Sequence, residues 1–353
     1  MQKKLIALAV AGLVSAPVFA QSNVTIYGIA DAYVGIGDHG DVDLNGVQSG
    51  GLSGSRLGFR GTEDLGNGLK AVFTLEQGYN IDTGTESAPD TAFQRQAFVG
   101  LSGGFGTVAL GRQYAPGYYI VNDPLASSGV SAHVQMVTDA GVSIAPNSAA
   151  RWDNAITYTG TFSGLTARAI YAMGASEANT DRAADVEDDD RYALGLAYAN
   201  GPLSLEAYYH VIQTAAARAD DQTEWLIGAG YKLGFATLMA TYQEAEDIVN
   251  KVGGYENMEA WQIGGVIPVG AAGNVHVAYG QMEYDTVRGG EVDTWGVAYP
   301  HGLSKRTTAY VGYNNVGNDA NTNAGIAAED AKFGVLGNGD DSNLFVVGVR
   351  HAF

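Results

Sequence analysis

Residues 53–76 read SGSRLGFRGTEDLGNGLKAVFTLE. With a period of two, Leu57 and Phe59 fall on one face, and Arg56, Gly58 and Arg60 on the other. The turn DLGNG (64–68) follows. KAVFTLE then alternates again, setting Phe73 and Leu75 against Lys70, Val72, Thr74 and Glu76. Two alternating runs joined by a glycine turn predict a β-hairpin. One face of it is apolar; the other carries two guanidinium groups and a carboxylate. A packed core does not tolerate that second face, because burying an unpaired ion is costly. A water-filled lumen does.

The same unit recurs along the chain: a short turn, then about ten residues of alternating polarity. Besides 64–68, the turns are GGFG (103–106), FSG (162–164), ANG (199–201), KLG (232–234), PVGAAG (268–273) and HGLS (301–304). Between them lie longer polar connections near 37–52, 82–92, 115–149, 176–189, 214–221, 248–256, 287–291 and 316–340. Seven short turns alternating with eight long loops require sixteen strands, with both termini on the short-turn side. An even count closes an antiparallel sheet without leaving an edge.

The first twenty residues stand apart. MQKKLIALAVAGLVSAPVFA has a basic start at Lys3 and Lys4, an apolar run from Leu5 to Val14 and a small-residue site at Ala20. That is the pattern of a cleaved secretory signal, and the run is too short to span a bilayer. Residues 21–353 then form one domain. The chain has 19 basic and 38 acidic residues; without the two leader lysines its net charge is about −21 with His neutral. Such a balance excludes the basic footprint that a nucleic-acid partner requires. There is no cysteine, so neither disulfides nor thiol chemistry contribute. Abundant Gly (49) and Tyr (20) with scarce Pro (8) fit many extended segments and tight turns.

A soluble sandwich shows the same alternation with its apolar face turned inward, whereas a transmembrane barrel turns that face to lipid. Three features favour the barrel: short turns alternating with long loops, tyrosines near many strand ends, and the aromatic last residue, Phe353.

Four segments carry a specific likeness: VTIYGIADAYVGIG (24–37), SRLGFRGTEDLGNGLKAVFTLE (55–76), AFVGLSGGFGTVALGRQY (97–114) and VGVRHAF (347–353). Together they resemble the general porins of Gram-negative outer membranes, in particular the β-proteobacterial type. The likeness spans the mature chain and is most specific in its N-terminal third. It implies an all-β fold: a 16-stranded antiparallel transmembrane β-barrel with short periplasmic turns and long extracellular loops. The third long loop, 115–149, would fold into the lumen as a constriction. It also implies a homotrimer, contacts with outer-membrane lipid and lipopolysaccharide, and a C-terminal strand whose Phe353 is read by the outer-membrane assembly machinery.

By motif, Arg56 of SRLG, Arg95 of FQRQAFVGLSG and Arg151 of RWDNAITY match the basic cluster that such porins place at the constriction, and Glu76 matches its acidic partner. A ring of charge at a narrow point selects ions by sign, because the low-dielectric wall focuses the field. Bracing of the wall by salt bridges is the competing role for these residues. Arg60 is a second lumen candidate, as are Asp123 and Asp139, the only acids of 115–149. That loop lacks the Pro-Glu-Phe-Gly motif of enterobacterial porins, which leaves the acidic half of the constriction unassigned. Period two groups Arg95 with Ala97, Val99 and Leu101, and Arg112 with Val108 and Leu110, on what would be the lipid face. A bulge would repair the pattern, so both registers stay open.

The expected function is passive diffusion of ions and small hydrophilic solutes, with a weak-to-moderate anion preference; a cation-preferring or substrate-specific porin governed by acidic loops is the alternative. A sugar channel would call for eighteen strands and an aromatic ladder. An outer-membrane hydrolase would need a nucleophile beside a base, and no motif places them together. No cofactor is implied. Six scattered histidines show no metal spacing. Asp188, Asp189 and Asp190 offer oxygens of the kind calcium takes, but without the spacing of a dedicated site, and read as a solvated outer loop.

Overall fold

The computed structural model describes residues 23–125, 130–137, 140–146, 150–174, 190–213, 220–249, 255–285, 289–326 and 336–353. The leader, Asp139, Asp188 and Asp189 lie outside the described residues. Seventeen strands follow in order: β1 (Asn23–His39), β2 (Val42–Ser49), β3 (Arg56–Gly66), β4 (Leu69–Gly78), β5 (Gln96–Gly103), β6 (Gly106–Tyr114), β7 (Arg151–Phe162), β8 (Leu165–Ala172) and β9 (Arg191–Asn200). The second half comprises β10 (Leu203–Ile212), β11 (Gln222–Lys232), β12 (Thr237–Val249), β13 (Tyr255–Val269), β14 (Gly273–Tyr284), β15 (Gly290–Gly302), β16 (Thr307–Asn318) and β17 (Ser342–Ala352). From β3 onward each strand pairs antiparallel with the next, and β17 closes onto β1 from Ile29↔Ala352 to His39↔Ser342. All seven expected short turns join the strands they were expected to join.

The extra strand arises at residues 37–52, which the sequence reading treats as a loop. The first half of β1 pairs with β3, from Asn23↔Thr62 to Ile29↔Arg56, and its second half pairs with β2, from Ala32↔Ser49 to His39↔Val42. β2 and β3 therefore descend along the same neighbour as one wall strand of the sixteen, interrupted at residues 50–55. Asp31 holds that interruption: its Oδ2 accepts the backbone N–H of Leu52 (2.9 Å) and Ser53 (2.8 Å), and Tyr310 donates its hydroxyl to Oδ1. The polar, glycine-containing sequence VDLNGVQS has the composition of a loop. Pairing to β1 makes it a strand.

The outer face is apolar, with Val99, Leu194, Ile263 and Val347 all exposed. Aromatic rings meet in pairs across adjacent strands, Trp225 with Tyr242, Trp261 with Tyr279 and Trp295 with Tyr313, at 5.1–5.6 Å. Near the short turns lie exposed Phe105, Phe162, Tyr231 and Phe235. An apolar band edged by aromatic girdles is the surface of a barrel in a bilayer.

The largest buried apolar cluster among the described residues is inside the barrel, where residues 115–125, 130–137 and 140–146 pack against the inner wall. They form a short 3-10 turn (Pro116–Tyr119) and one helix, α1 (Ala132–Val137). Leu125, Val130, Ala132, Met136 and Val137 join Ala260, Ala278, Met282 and Val346 of the wall in that cluster. Two wall glycines make the room. A Cβ at Gly280 would lie 2.8 Å from the Met136 methyl, and one at Gly296 would lie 2.3 Å from the Val130 carbonyl oxygen. Wall carboxylates take the segment's free amides: Glu206 accepts from Val121 and Asn122, and Glu224 from Ser143 and Ile144, at 2.8–2.9 Å. The described residues of this segment, 115–125, 130–137 and 140–146, thus pack on the inner wall.

Candidate functional site

Glu76 is the centre of the site. It stands at the end of β4 on the face it shares with Lys70, Val72 and Thr74, and is 4% exposed. Its Oε1 accepts from Arg95 Nε at 2.9 Å and from the Tyr114 hydroxyl at 3.1 Å; its Oε2 accepts from the Tyr27 hydroxyl at 2.9 Å. An Arg56 guanidinium nitrogen lies 3.9 Å from Oε1, while Arg56 Nε donates to the Gly54 carbonyl at 2.9 Å. The other two arginines approach through rings. The Arg60 guanidinium lies 5.0 Å from the centre of Tyr27, and that of Arg151 lies 5.4 Å from the centre of Tyr114. The structure therefore brings Arg56 and Arg95 to one carboxylate, and Arg60 and Arg151 to the two tyrosines that donate to it. Tyr27 and Tyr114, which sequence reasoning did not single out, are the struts of the cluster. Their inward parity was the available signal.

Arg95 reaches this cluster because it is not part of the alternation. It occupies a bend immediately before β5, its backbone N–H donates to the Glu76 carbonyl at 3.2 Å, and its side chain is buried. Strand parity begins only at Gln96. Arg112 is different. It pairs across the ladder with Ala97, donates to the Gln94 carbonyl at 2.7 Å, and forms an ion pair with exposed Asp153 at 2.7 Å. The irregularity between β6 and β7 falls beside it, and it stays outside the Glu76 cluster.

Asp123 does not face open lumen. It accepts from the Leu125 amide at 2.9 Å, the Ser131 hydroxyl at 2.7 Å and Gln262 Nε2 at 3.2 Å, so it fastens the loop to itself and to β13. Asp190 accepts from the Tyr171 hydroxyl and the Gly174 amide, and no metal-like group of three ligands occurs among the described residues. Ser143 lies 2.7 Å from His210 Nδ1, a contact that superficially suggests a nucleophile and base. The Gly117 amide donates to Nε2 at 2.9 Å, so Nε2 is the unprotonated nitrogen and Nδ1 carries the proton toward Ser143. The ring is a tether for the loop.

The same segment carries two further groups. Burial raises the Tyr119 hydroxyl to about 12, and that ring faces Arg168 of β8 at 4.3 Å. Burial also holds the His133 ring below its ordinary value, opposed by nearby Asp123. Its Nε2 is 3.0 Å from Gln243 Oε1. Arg168 is a functional candidate that no motif indicated; the only sequence signal was a charge at an inward strand position.

Known proteins match this architecture. The family description "Gram-negative porin" fits residues 7–321. Outer membrane porin protein 32 of Delftia acidovorans is 35% identical over 361 residues, covering both chains completely. An anion-selective porin from Comamonas acidovorans superposes with a TM-score of 0.80 at 32% identity, over 94% of this chain and 100% of that one. OmpT of Vibrio cholerae, in its trimer form, matches the fold with a TM-score of 0.66 at 15% identity, over 94% and 99% of the chains. A closed barrel with a lipid-facing apolar wall, a loop folded through its lumen and a charged cluster beside that loop belongs to a chain that is a member of the Gram-negative porin family, a channel across the outer membrane.

Proposed function

We propose that the lumen passes small hydrophilic solutes and ions with a weak-to-moderate preference for anions, selected by Arg56, Arg95 and Arg151 with Glu76, and with Arg60 contributing. One observation carries the reading: Arg95 and Arg56 lie at the Glu76 carboxylate, and Arg60 and Arg151 sit on the rings of the two tyrosines that donate to it, so four guanidinium groups share a neighbourhood with one carboxylate. The site is positive on balance. Among the described residues the in-folded loop adds only Asp123, whose oxygens are engaged elsewhere. The Comamonas porin's stated anion selectivity supports the same sign. We take the working unit to be a homotrimer, as OmpT has a trimer form, embedded in lipid and lipopolysaccharide and assembled through its C-terminal strand ending in Phe353. Diffusion needs no catalytic group.

The acidic exterior favours cations at the mouth, and this is the competing influence. Charges in water are screened over about 8 Å at physiological salt, and charges in a narrow lumen less so. A single-channel recording across a KCl gradient tests the proposal. The expected result is a triplet of current steps with an anion-sign reversal potential that persists at high salt and is weakened by Arg56→Ala. A cation-sign potential would shift control to the acidic loops; properly folded protein without channels would overturn the diffusion function.

A further inference from the structure

Three guanidinium groups on the lumen side lie on tyrosine rings: Arg60 on Tyr27, Arg151 on Tyr114 and Arg168 on Tyr119. Among the described residues, none of the three forms an ion pair with a carboxylate. A tyrosine ring carries a quadrupole and no net charge, so it fixes a guanidinium in place without neutralising it. The planar group keeps N–H edges for another acceptor. Arg60 and Arg151 belong to the cluster around Glu76. Arg168 does not.

Arg168 stands opposite Thr159 on one side and Gly195 on the other, with buried Ile170 next on its own face and exposed Tyr171 on the outer one. It therefore points into the barrel. Tyr119 is held from behind, since its carbonyl accepts the Tyr208 hydroxyl at 2.8 Å. Its ring meets Tyr118 edge-on at 5.3 Å, and Tyr118 stacks on Tyr114 at 3.7 Å with 10° between planes. Tyr114 also meets Tyr119 edge-on at 6.1 Å, so the three tyrosines form a compact cluster with Arg151 over the Tyr114 ring and Arg168 over the Tyr119 ring. We propose that Arg168, seated on Tyr119, is a second anion-binding station of the pore, taking chloride and small monocarboxylates as they pass the tyrosine cluster to or from the Glu76 cluster. This rests on the reading of the lumen as an anion-favouring channel.

The chain has no cysteine, so Arg168→Cys introduces a single addressable thiol. In bilayer recordings across a KCl gradient, Arg168→Cys is expected to lower the chloride-to-potassium permeability ratio about twofold, a modest effect for one charge in water. A cationic thiosulfonate reagent added to open channels restores the ratio, and an anionic one lowers it further. The shift shrinks at molar salt, where screening acts within about 3 Å, whereas a displaced loop would alter the ratio independently of salt. Arg168→Gln and Arg168→Lys provide the same comparison if the thiol variant yields no channels: Lys keeps the ratio and Gln loses it. An unchanged ratio in the neutral variants, equal behaviour of Gln and Lys, or indifference to both reagents overturns the proposal. A wild-type channel of cation sign would refute the anion reading while leaving the contribution of Arg168 measurable as a shift.

Discussion

Arg95 is 1% exposed with its Nε 2.9 Å from Glu76, whereas Arg151 lies against the Tyr114 ring with no carboxylate paired to it among the described residues. The same side-chain type is therefore asked to do two things. Arg95 is part of a buried pair, and removing one partner of such a pair leaves an uncompensated charge, at a cost of about 3 kcal/mol or more. Arg151 retains its field. Arg95→Ala is expected to reduce the stability of the refolded barrel by about that amount, read as a lower urea midpoint, with a smaller change in selectivity. Arg151→Ala should do the reverse: the urea midpoint stays nearly constant, while the anion-to-cation permeability ratio falls about threefold, or roughly 0.7 kcal/mol. Equal effects of the two substitutions on both measurements would refute this division.

At the scale of the element, the in-folded segment depends on the wall for its backbone partners. Glu206 and Glu224 accept its amides, and His133 on α1 touches Gln243 of β12 while its own amide donates to Gln262 of β13 at 2.9 Å. Burial lowers the affinity of the docked His133 ring for a proton, so docking favours its neutral form. Released into water, the ring would regain its ordinary pKa of about 6.5. Docking is thus at full strength above that value and weakens as pH falls below it, because the released ring takes up a proton more readily than the docked one. Lowering the pH from 7.5 to 5 should increase flicker in single-channel records, and His133→Gln should blunt the pH dependence of that flicker. Flicker with the same pH dependence in both proteins would assign the effect elsewhere. Glu224→Ala, which removes the acceptor for Ser143 and Ile144, should raise flicker at every pH.

For the whole molecule, the decisive contact is the seam where the first and last strands, β1 and β17, meet. Gly28 and Phe353 exchange both backbone hydrogen bonds, at 3.0 and 3.1 Å, and the Phe353 ring lies where a Cβ on residue 28 would be, 2.4 Å from its Cζ atom. Gly28→Val overpacks that corner, which costs about 1–3 kcal/mol. We expect less folded barrel on unheated gels for Gly28→Val, and again less for Phe353→Ala, with Val346→Ala, well away from the last residue, serving as a comparison for loss of packing alone. If both seam variants assemble like the wild type, closure does not depend on this corner.

The strand pattern, the seven turns and the placing of Arg56, Arg60 and Glu76 on one face were all legible in the sequence, because lipid outside and water inside impose opposite requirements at every second residue. Membership of the porin family followed from the same stretches. What the alternation could not give was anything that departs from it. Arg95 enters the cluster through a bend, and VDLNGVQS becomes a strand only because β1 extends past Ala32 to offer it a partner. For the described residues between 115 and 146 the family resemblance gave the direction, into the lumen, but not the contacts, which depend on inner-wall glycines and carboxylates contributed by strands far along the chain. Asp123 is drawn to Ser131 and Gln262, and Arg168 onto Tyr119, by contacts across sequence separations that local periodicity does not encode. The sequence by itself determined which face each wall residue takes; the tertiary structure decided which charges are spent on one another and which remain for a passing ion.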